Sequence, residues 1–330
     1  MQLKRVVHFD TWTGLKPGLS RTLQYQDLTP ARRLKHTQDK MLRRIQKLLD
    51  QPAFRAEPLA VLGRAGAWGA AVAMRRSPVF TLTRGGERLR VPSDLRYTSV
   101  TAFLLRDWVE PELRELDQLL SPGDVFIDVG ANIGLYALKA ARLVGPSGRV
   151  VALEPGAVAC DQLEANLALN DFRCVEVVRK AASDTDGHAV LHHVELGHDP
   201  QAFSLIENLS AGGGETVETI RLDTLAGQMG LTRMDLIKID VEGAESMVLA
   251  GARECLARFR PAVVFECNAY INAGGDSGAA ARAWGLLADA GYQFRRLSNG
   301  RFSPVDQPPT DFCNILAVHP ERDTNTARAA

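Results

Sequence analysis

The sequence predicts an α/β fold: a mostly parallel sheet with helices on both faces, preceded by a helical N-terminal extension. Two observations carry this. From residue 124 onward, near-continuous apolar strands alternate with amphipathic segments of helical length, the pattern of a sheet buried on both sides. Before residue 95 the chain is basic and helical in period, broken by one hairpin pattern. With 330 residues and 45% hydrophobic content, the chain can bury a full core, and its length suits one large domain with an appendage, or two domains.

In chain order, ARRLKHTQDKMLRRIQKLL (31–49) places Leu34, Met41, Leu42, Ile45, Leu48 and Leu49 at helical spacing, with Pro30 as a start signal. VFTLTRGGERLRVPSD (79–94) reads as a hairpin turning at Gly85-Gly86. PELRELDQLLSPG (111–123) is an amphipathic helix stopped by Pro-Gly. The strands are DVFIDVG (124–130), RVVALEP (149–155), CVEVVRKAAS (174–183), MDLIKIDVEG (234–243) and PAVVFECN (261–268). Helices are expected near 133–143, 158–169, 244–258 and 278–290. YQFRRLSN (292–299) and FCNILAVHP (312–320) suit an antiparallel pair joined by a loop and closing the sheet edge. Residues 1–95 form the extension, a surface for substrate or homodimer contacts, 96–320 the main domain, and 321–330 a loose tail.

The net charge of zero hides an asymmetry. Residues 1–100 hold 19 Lys and Arg against 7 Asp and Glu, and residues 101–330 hold 20 against 32. Such a split suits two parts docking on each other, or a basic rim over an anionic substrate, better than a nucleic-acid surface. The five scattered cysteines form no Cys-x-x-Cys pair, which points to reduced thiols and a cytoplasmic setting. The apolar stretch 58–74 contains Arg64 and several glycines, and is too short to span a bilayer.

FIDVGANIGLYALKAA (126–141) has the strand-loop-helix form of a first nucleotide-binding turn, but its Gly130-x-x-x-Gly134 spacing leaves the three-glycine fingerprint incomplete. Gly130 would allow close backbone approach and Gly134 would let the helix start tight against the strand. Asp128 beside the loop would repel a pyrophosphate and attract an aminoacyl ammonium. Glu154, one strand on, stands where an acid can take both hydroxyls of a ribose; NAD would use that acid too. Together the two acids favour a ligand with a free amine, a ribose and no phosphate, a description that S-adenosylmethionine fits.

PGDVFIDVGANIGLYALKAARLVGPSGRVVALEP, NLALND, AASDTDGHAVL, RLDTLA, LIKIDVEGAESMVLAGA and RPAVVFE, in this order and covering about residues 110–268, resemble the FkbM family of S-adenosylmethionine-dependent methyltransferases. The resemblance implies a class I methyltransferase (Rossmann-like) fold with a seven-stranded sheet, and methylation of hydroxyls on sugars, polysaccharides or polyketide-type natural products. By position it implies that Asp128, Gly130, Asn132 and Gly134 hold the methionine end of the cofactor, that Glu154 holds the ribose, and that Ser183 and Asp184 flank the adenine.

Methyl transfer from a sulfonium is an in-line displacement, and an alcohol acceptor must also lose a proton to a base or become a metal-bound alkoxide. Asp240 and Glu242 end the fourth strand, Glu266 and Asn268 the fifth, and in an open parallel sheet these ends gather at the reaction centre. Asp240 could act as base with Glu242 or Glu266 orienting the acceptor; or Asp240, Glu266 and Asn268 could hold Mg²⁺. The sequence leaves both open. Lys238, buried on the same strand face, is expected to pair with Asp128 or Glu266, and Glu242 and Glu245 suit the N-terminus of the following helix. The histidines of HHVELGHD (192–199) read as strand and loop residues, and 200–218 as a mobile lid hinged at Gly212–Gly214. The partner expected is a small-molecule or glycan acceptor, with no nucleic acid and no membrane span. Two other functions stay in view: a nucleic-acid methyltransferase, against which KIDVEG lacks the Asp/Asn-Pro-Pro-aromatic motif of base N-methylation, and an inactive cofactor-binding scaffold.

Overall fold

Alternate residues of each central strand feed two separate cores, one on each face of a single large sheet. The computed structural model describes residues 51–94, 97–194, 203–205, 210–267, 278–298, 300–311 and 313–322; the helix expected over 31–49 and most of the C-terminal tail lie outside them. The chain divides into two compact units, Met1–Arg55 and Ala56–Ala330, and all three sheets of the described residues belong to the second.

The main sheet is built from β3 (Val125–Val129), β4 (Arg149–Leu153), β5 (Val175–Val178), β10 (Leu236–Ile239), β11 (Ala262–Cys267), β12 (Gln293–Ser298), β13 (Arg301–Val305) and β14 (Cys313–Val318). Its order is β13-β12-β14-β11-β10-β3-β4-β5. The five strands from β11 to β5 are parallel, and β14, β12 and β13 are joined to them and to each other antiparallel. The sheet therefore has eight strands where seven were expected. The extra one is β13, formed from the segment read as a plain loop between β12 and β14, which turns back to hydrogen-bond the free edge of β12.

A four-stranded sheet stands between β5 and β10, in the order β6-β9-β7-β8. It comprises β6 (Ala181–Ala182), β7 (Gly187–Val194), β8 (Phe203–Ser204) and β9 (Ser210–Ile220). This corrects two expectations: 174–183 is split into β5 and β6, and Gly212–Gly214 lies within a strand paired to β7, not at a hinge. His192 and His193 also lie in β7, while His198 falls outside the described residues.

One core joins Ile127, Val129, Val151, Leu153, Ile237, Ile239, Val263 and Phe265 to α6 (Leu222–Gln228), α7 (Glu245–Ala250), α8 (Arg253–Phe259) and α9 (Ala279–Asp289). The helix expected at 244–258 is thus two short ones, and α6 is an element the apolar period did not reveal. On the other face Phe126, Val150, Ala152, Leu236 and Val264 meet α1 (Pro58–Ala73), α2 (Tyr97–Leu105), α3 (Pro111–Leu119), α4 (Leu135–Val144) and α5 (Ala157–Ala168). The predicted hairpin, β1 (Val79–Thr81) with β2 (Arg88–Arg90), joins this second core through Phe80, Leu82, Leu89 and Val91.

Side chains of the quoted motifs hold these pieces together. Buried Asn166 accepts the Arg90 N–H and donates to the Ile133 carbonyl, both at 2.9 Å, and Asn170 closes a two-way pair with the Arg88 backbone. Buried Glu87 takes Arg142 Nε at 2.5 Å, which fastens the hairpin to α4. Asp223 accepts the backbone N–H groups of Glu254 and Cys255 and so caps α8. Among the described residues no helix is long and apolar enough to cross a membrane.

Because Leu89 is fully enclosed between the hairpin and the sheet-face helices, Leu89→Ala should destabilise the domain by about 3 kcal/mol. Urea unfolding followed by tryptophan fluorescence and far-UV dichroism should show one transition displaced in both signals. A domain midpoint unmoved by the substitution would show that the hairpin is not part of this cooperative unit.

Candidate functional site

A cavity of about 440 Å³ opens past the carboxyl ends of β3, β4, β10 and β11, where a doubly wound sheet gathers its ligands. Gly130, Ala131 and Asn132 form one wall and Glu154 the floor beside them. Asp240, Glu242 and Glu266 also line it, together with Glu110, Glu112, Tyr136 and Asn314.

The loop after β3 is shaped by backbone crowding. Gly130 has φ +79°, and a Cβ placed there would stand 1.9 Å from the Asp240 carbonyl oxygen. The two loops can touch only because residue 130 has no side chain. Asn132 is also left-handed, with φ +48°, a conformation that Asn tolerates better than most residues. Its N–H donates to Glu154 Oε2 at 2.9 Å, while the Gly156 N–H donates to Oε1 at 2.9 Å. The Asn132 Oδ1 is buried with no hydrogen-bond partner. Burial raises the Glu154 pKa, with the two backbone N–H groups opposing. Gly134 packs on Leu163 of α5 and stands outside the cavity wall. The partner of this tight approach is thus a helix, not the strand that the sequence suggested.

Asp128 is 1% exposed and neither carboxylate oxygen has a hydrogen-bond partner. It lies beneath the cavity, not on its wall, directly across the β3–β10 register from Lys238. Burial pushes its pKa up to about 7, with Lys238 opposing.

Lys238 emerges from β10 on this same face. Its partner is neither Asp128 nor Glu266 as expected, but Asp240 two residues on, with Nζ 2.6 Å from Oδ2. The register brings Asp128 alongside, but the turn after β10 folds Asp240 back over the ammonium. Burial would lower the Lys238 pKa; Asp240, Glu110 and Asp128 together raise it above the ordinary lysine value. The ammonium also lies 4.5 Å above the Tyr136 ring, a cation–π contact.

Sequence reasoning missed Glu110, Glu112, Tyr136 and Asn314. The Tyr136 hydroxyl donates to Glu110 Oε2 at 2.5 Å, and Asn314 Nδ2 donates to Glu112 Oε2 at 3.0 Å. Asn314 is the register partner of buried Glu266. One signal was available: Glu110 occupies the N-cap before Pro111, a position that Ser, Thr, Asp or Asn usually fills.

Other expected residues stand elsewhere. Ser183 is buried with its Oγ near Asp184, and Asp184 is exposed; at that end the cavity is walled by Lys180, Ala181, Ala182, Leu191 and Leu205 instead. Glu242 lines the cavity in a left-handed conformation, φ +51°. Glu245 turns back to accept the Gly243 N–H at the start of α7, and burial raises its pKa to about 7. Asn268 lies outside the described residues. Among those described, no three His, Cys, Asp or Glu side chains are arranged to hold a metal. Asp240 Oδ2 faces the Lys238 ammonium, and Asn268, the third of the expected metal ligands, lies outside the described residues.

Comparison with known proteins gives the site a context. The sequence model of the methyltransferase FkbM domain matches residues 128–294, half of the chain. The chain is 32% identical over 201 residues to the 31-O-demethyl-FK506 methyltransferase FkbM of Streptomyces tacrolimicus, covering 51% of this chain and 76% of that protein. It is 32% identical over 162 residues to the 2-O-methyltransferase NoeI of Sinorhizobium fredii, covering 44% of this chain and 65% of NoeI. It is 30% identical over 200 residues to the AMB antimetabolite synthetase AmbE of Pseudomonas aeruginosa, covering 50% of this chain but only 9% of that much longer protein. Among solved structures, a methyltransferase FkbM from Methylobacillus flagellatus KT aligns with TM-score 0.40 and 16% identity over 80% of this chain and 60% of that one.

Gly130→Ala should cost about 2 kcal/mol or more, since it combines a disfavoured backbone conformation with a clash against backbone. A thermal melt lowered by several degrees is expected, and an unchanged melt would show that the two loops separate without cost.

Proposed function

Because the chain belongs to the methyltransferase FkbM-domain family, we propose that it transfers the methyl group of S-adenosylmethionine to a hydroxyl of a sugar or polyketide-type natural product. The observation that carries the reading is the lining of the cavity, where a glycine loop and a backbone-anchored glutamate stand together with a group of carboxylates.

Glu154 and the glycine loop suit a ribose and a methionine moiety. Glu154 is held rigid by two N–H donors and keeps free lone pairs toward the cavity, as a ribose diol requires. Gly130 and Ala131 present backbone, and the unpartnered Asn132 Oδ1 awaits a donor. The cavity wall carries two cations, Lys180 and Lys238, each already paired, with Glu218 and Asp240 respectively. Among the described residues a pyrophosphate would find no free counter-charge there, which favours S-adenosylmethionine over a dinucleotide. When bound, it supplies a methyl group on a positively charged sulfur.

Asp240, Glu242 and Glu266, with Glu110, are carboxylates of the same cavity that reach an acceptor, Asp240 being fixed by Lys238. Their negative charge disfavours a nucleic acid, whose phosphates would be repelled. The 2-O-methyltransferase NoeI and the 31-O-demethyl-FK506 methyltransferase are both named for methylation at oxygen, which supports a hydroxyl acceptor.

Calorimetry should detect binding of S-adenosylmethionine and of its demethylated product. Glu154→Gln should weaken that binding by about tenfold, because one carboxylate–hydroxyl bond of about 1.4 kcal/mol or more is lost. A folded wild-type protein that binds neither compound would overturn the reading. Asp240→Asn should keep the cofactor affinity and lower the rate of methyl transfer to glycosides; an unchanged rate would remove Asp240 from the groups that reach the acceptor.

A further inference from the structure

We infer that Glu110, held by Tyr136, is the group that takes the proton from the acceptor hydroxyl. This rests on the methyl-transfer reading and names a residue of the same cavity outside the matched family domain, which begins at residue 128.

The geometry separates three of the carboxylates that line the cavity. Asp240 is ion-paired with a buried ammonium at 2.6 Å, and protonating it would leave Lys238 without its nearest counter-charge, a costly state. Glu112 is nearly sealed and engaged by Asn314. Glu110 lines the cavity and can gain a proton while the Lys238–Asp240 pair stays intact. It is the N-cap residue of α3 but makes no capping bond; its side chain turns away from the helix toward Tyr136.

That placement is braced. Lys139 on α4 reaches across to the Leu113 and Arg114 carbonyls and to Asp117 at 2.8–3.1 Å. The helix carrying Glu110 is thereby locked to the helix carrying Tyr136. The charged and titratable groups facing Glu110 are Tyr136 from α4, Lys238 and Asp240 from β10 and its following turn, Asp128 from β3 and Glu112 from its own helix. Burial is the largest influence and raises its pKa, Lys238 and the Tyr136 hydrogen bond oppose, and Asp240 adds to the rise. A carboxylate with a raised pKa is a stronger base than an ordinary one. Burial and the neighbouring carboxylates keep the Tyr136 hydroxyl protonated, so it remains a donor throughout. Glu110 takes the hydroxyl proton while the oxygen–methyl bond forms and the methyl–sulfur bond breaks. The electron pair stays on sulfur, and Glu110 then returns the proton to water. Tyr136 acts on the reaction only through Glu110, as a positioning residue.

The test has two arms. In the first, infrared difference spectra between wild type and Glu110→Gln isolate the carboxyl band of Glu110 without any acceptor. Its midpoint should lie above the ordinary glutamate range and rise further in Tyr136→Phe, which loses a bond favouring the charged form. In the second, radiolabelled methyl transfer to a panel of methyl glycosides should fall about 100-fold in Glu110→Gln, with S-adenosylmethionine affinity by calorimetry unchanged. In Tyr136→Phe the acid limb of the pH–rate profile should move to higher pH. An ordinary midpoint, a midpoint unmoved by Tyr136→Phe, or a wild-type rate in Glu110→Gln would overturn the inference. A wild type that binds no S-adenosylmethionine would instead overturn the methyl-transfer reading, and the infrared arm would still decide the Glu110–Tyr136 pairing.

Discussion

A single buried ammonium organises this site. Lys238 leaves the middle of the parallel sheet on the face covered by α4, and its side chain is almost wholly buried. Isolated there, it would cost several kcal/mol. The protein meets that cost with Asp240 at 2.6 Å, Asp128 and Glu110 close by, and the Tyr136 ring beneath. Each of these groups comes from a different part of the chain, and all are drawn to one point at the carboxyl end of the sheet. The electrostatic need of one lysine thus helps to set where the turn after β10, the loop after β3 and the start of α3 come together.

The same arrangement separates the roles of chemically similar acids. Asp128 is sealed under the cavity, Asp240 is tied to the ammonium, and Glu154 is fixed by backbone donors. Glu110 is held by a neutral phenol. Partner chemistry and burial, not residue type, decide which carboxyl keeps its charge and which can exchange a proton. The loops carrying them are pressed together at Gly130, where the chain admits no side chain at all.

Much of the architecture was legible in the sequence because it rests on local periodicity. The alternation in LIKID put Lys238 and Asp240 on one face and Ile237 and Ile239 on the other, and the two cores follow that division. The apolar strands from 125 to 267, the hairpin at 79–90 and the helices α3, α4, α5 and α9 were visible for the same reason. The β8–β9 segment of the small mixed sheet was read as a lid because β9 carries three glycines and polar residues. It lacks the apolar run that marks a buried strand, and hydrogen bonds to β7 give it its order.

By itself, then, the sequence determined the faces of the strands, the parallel core, and the placing of Gly130, Asn132, Glu154, Asp240 and Glu266 at the strand ends. Only the tertiary structure decided that Lys238 pairs with Asp240, that Asp128 lies beneath the cavity, that Ser183 stands outside it, and that Glu110 and Tyr136 belong to it. The reason is physical. Which face a side chain takes follows from the two-residue repeat of its own strand, whereas its partner depends on how elements distant in the chain close on one another and how much water they exclude.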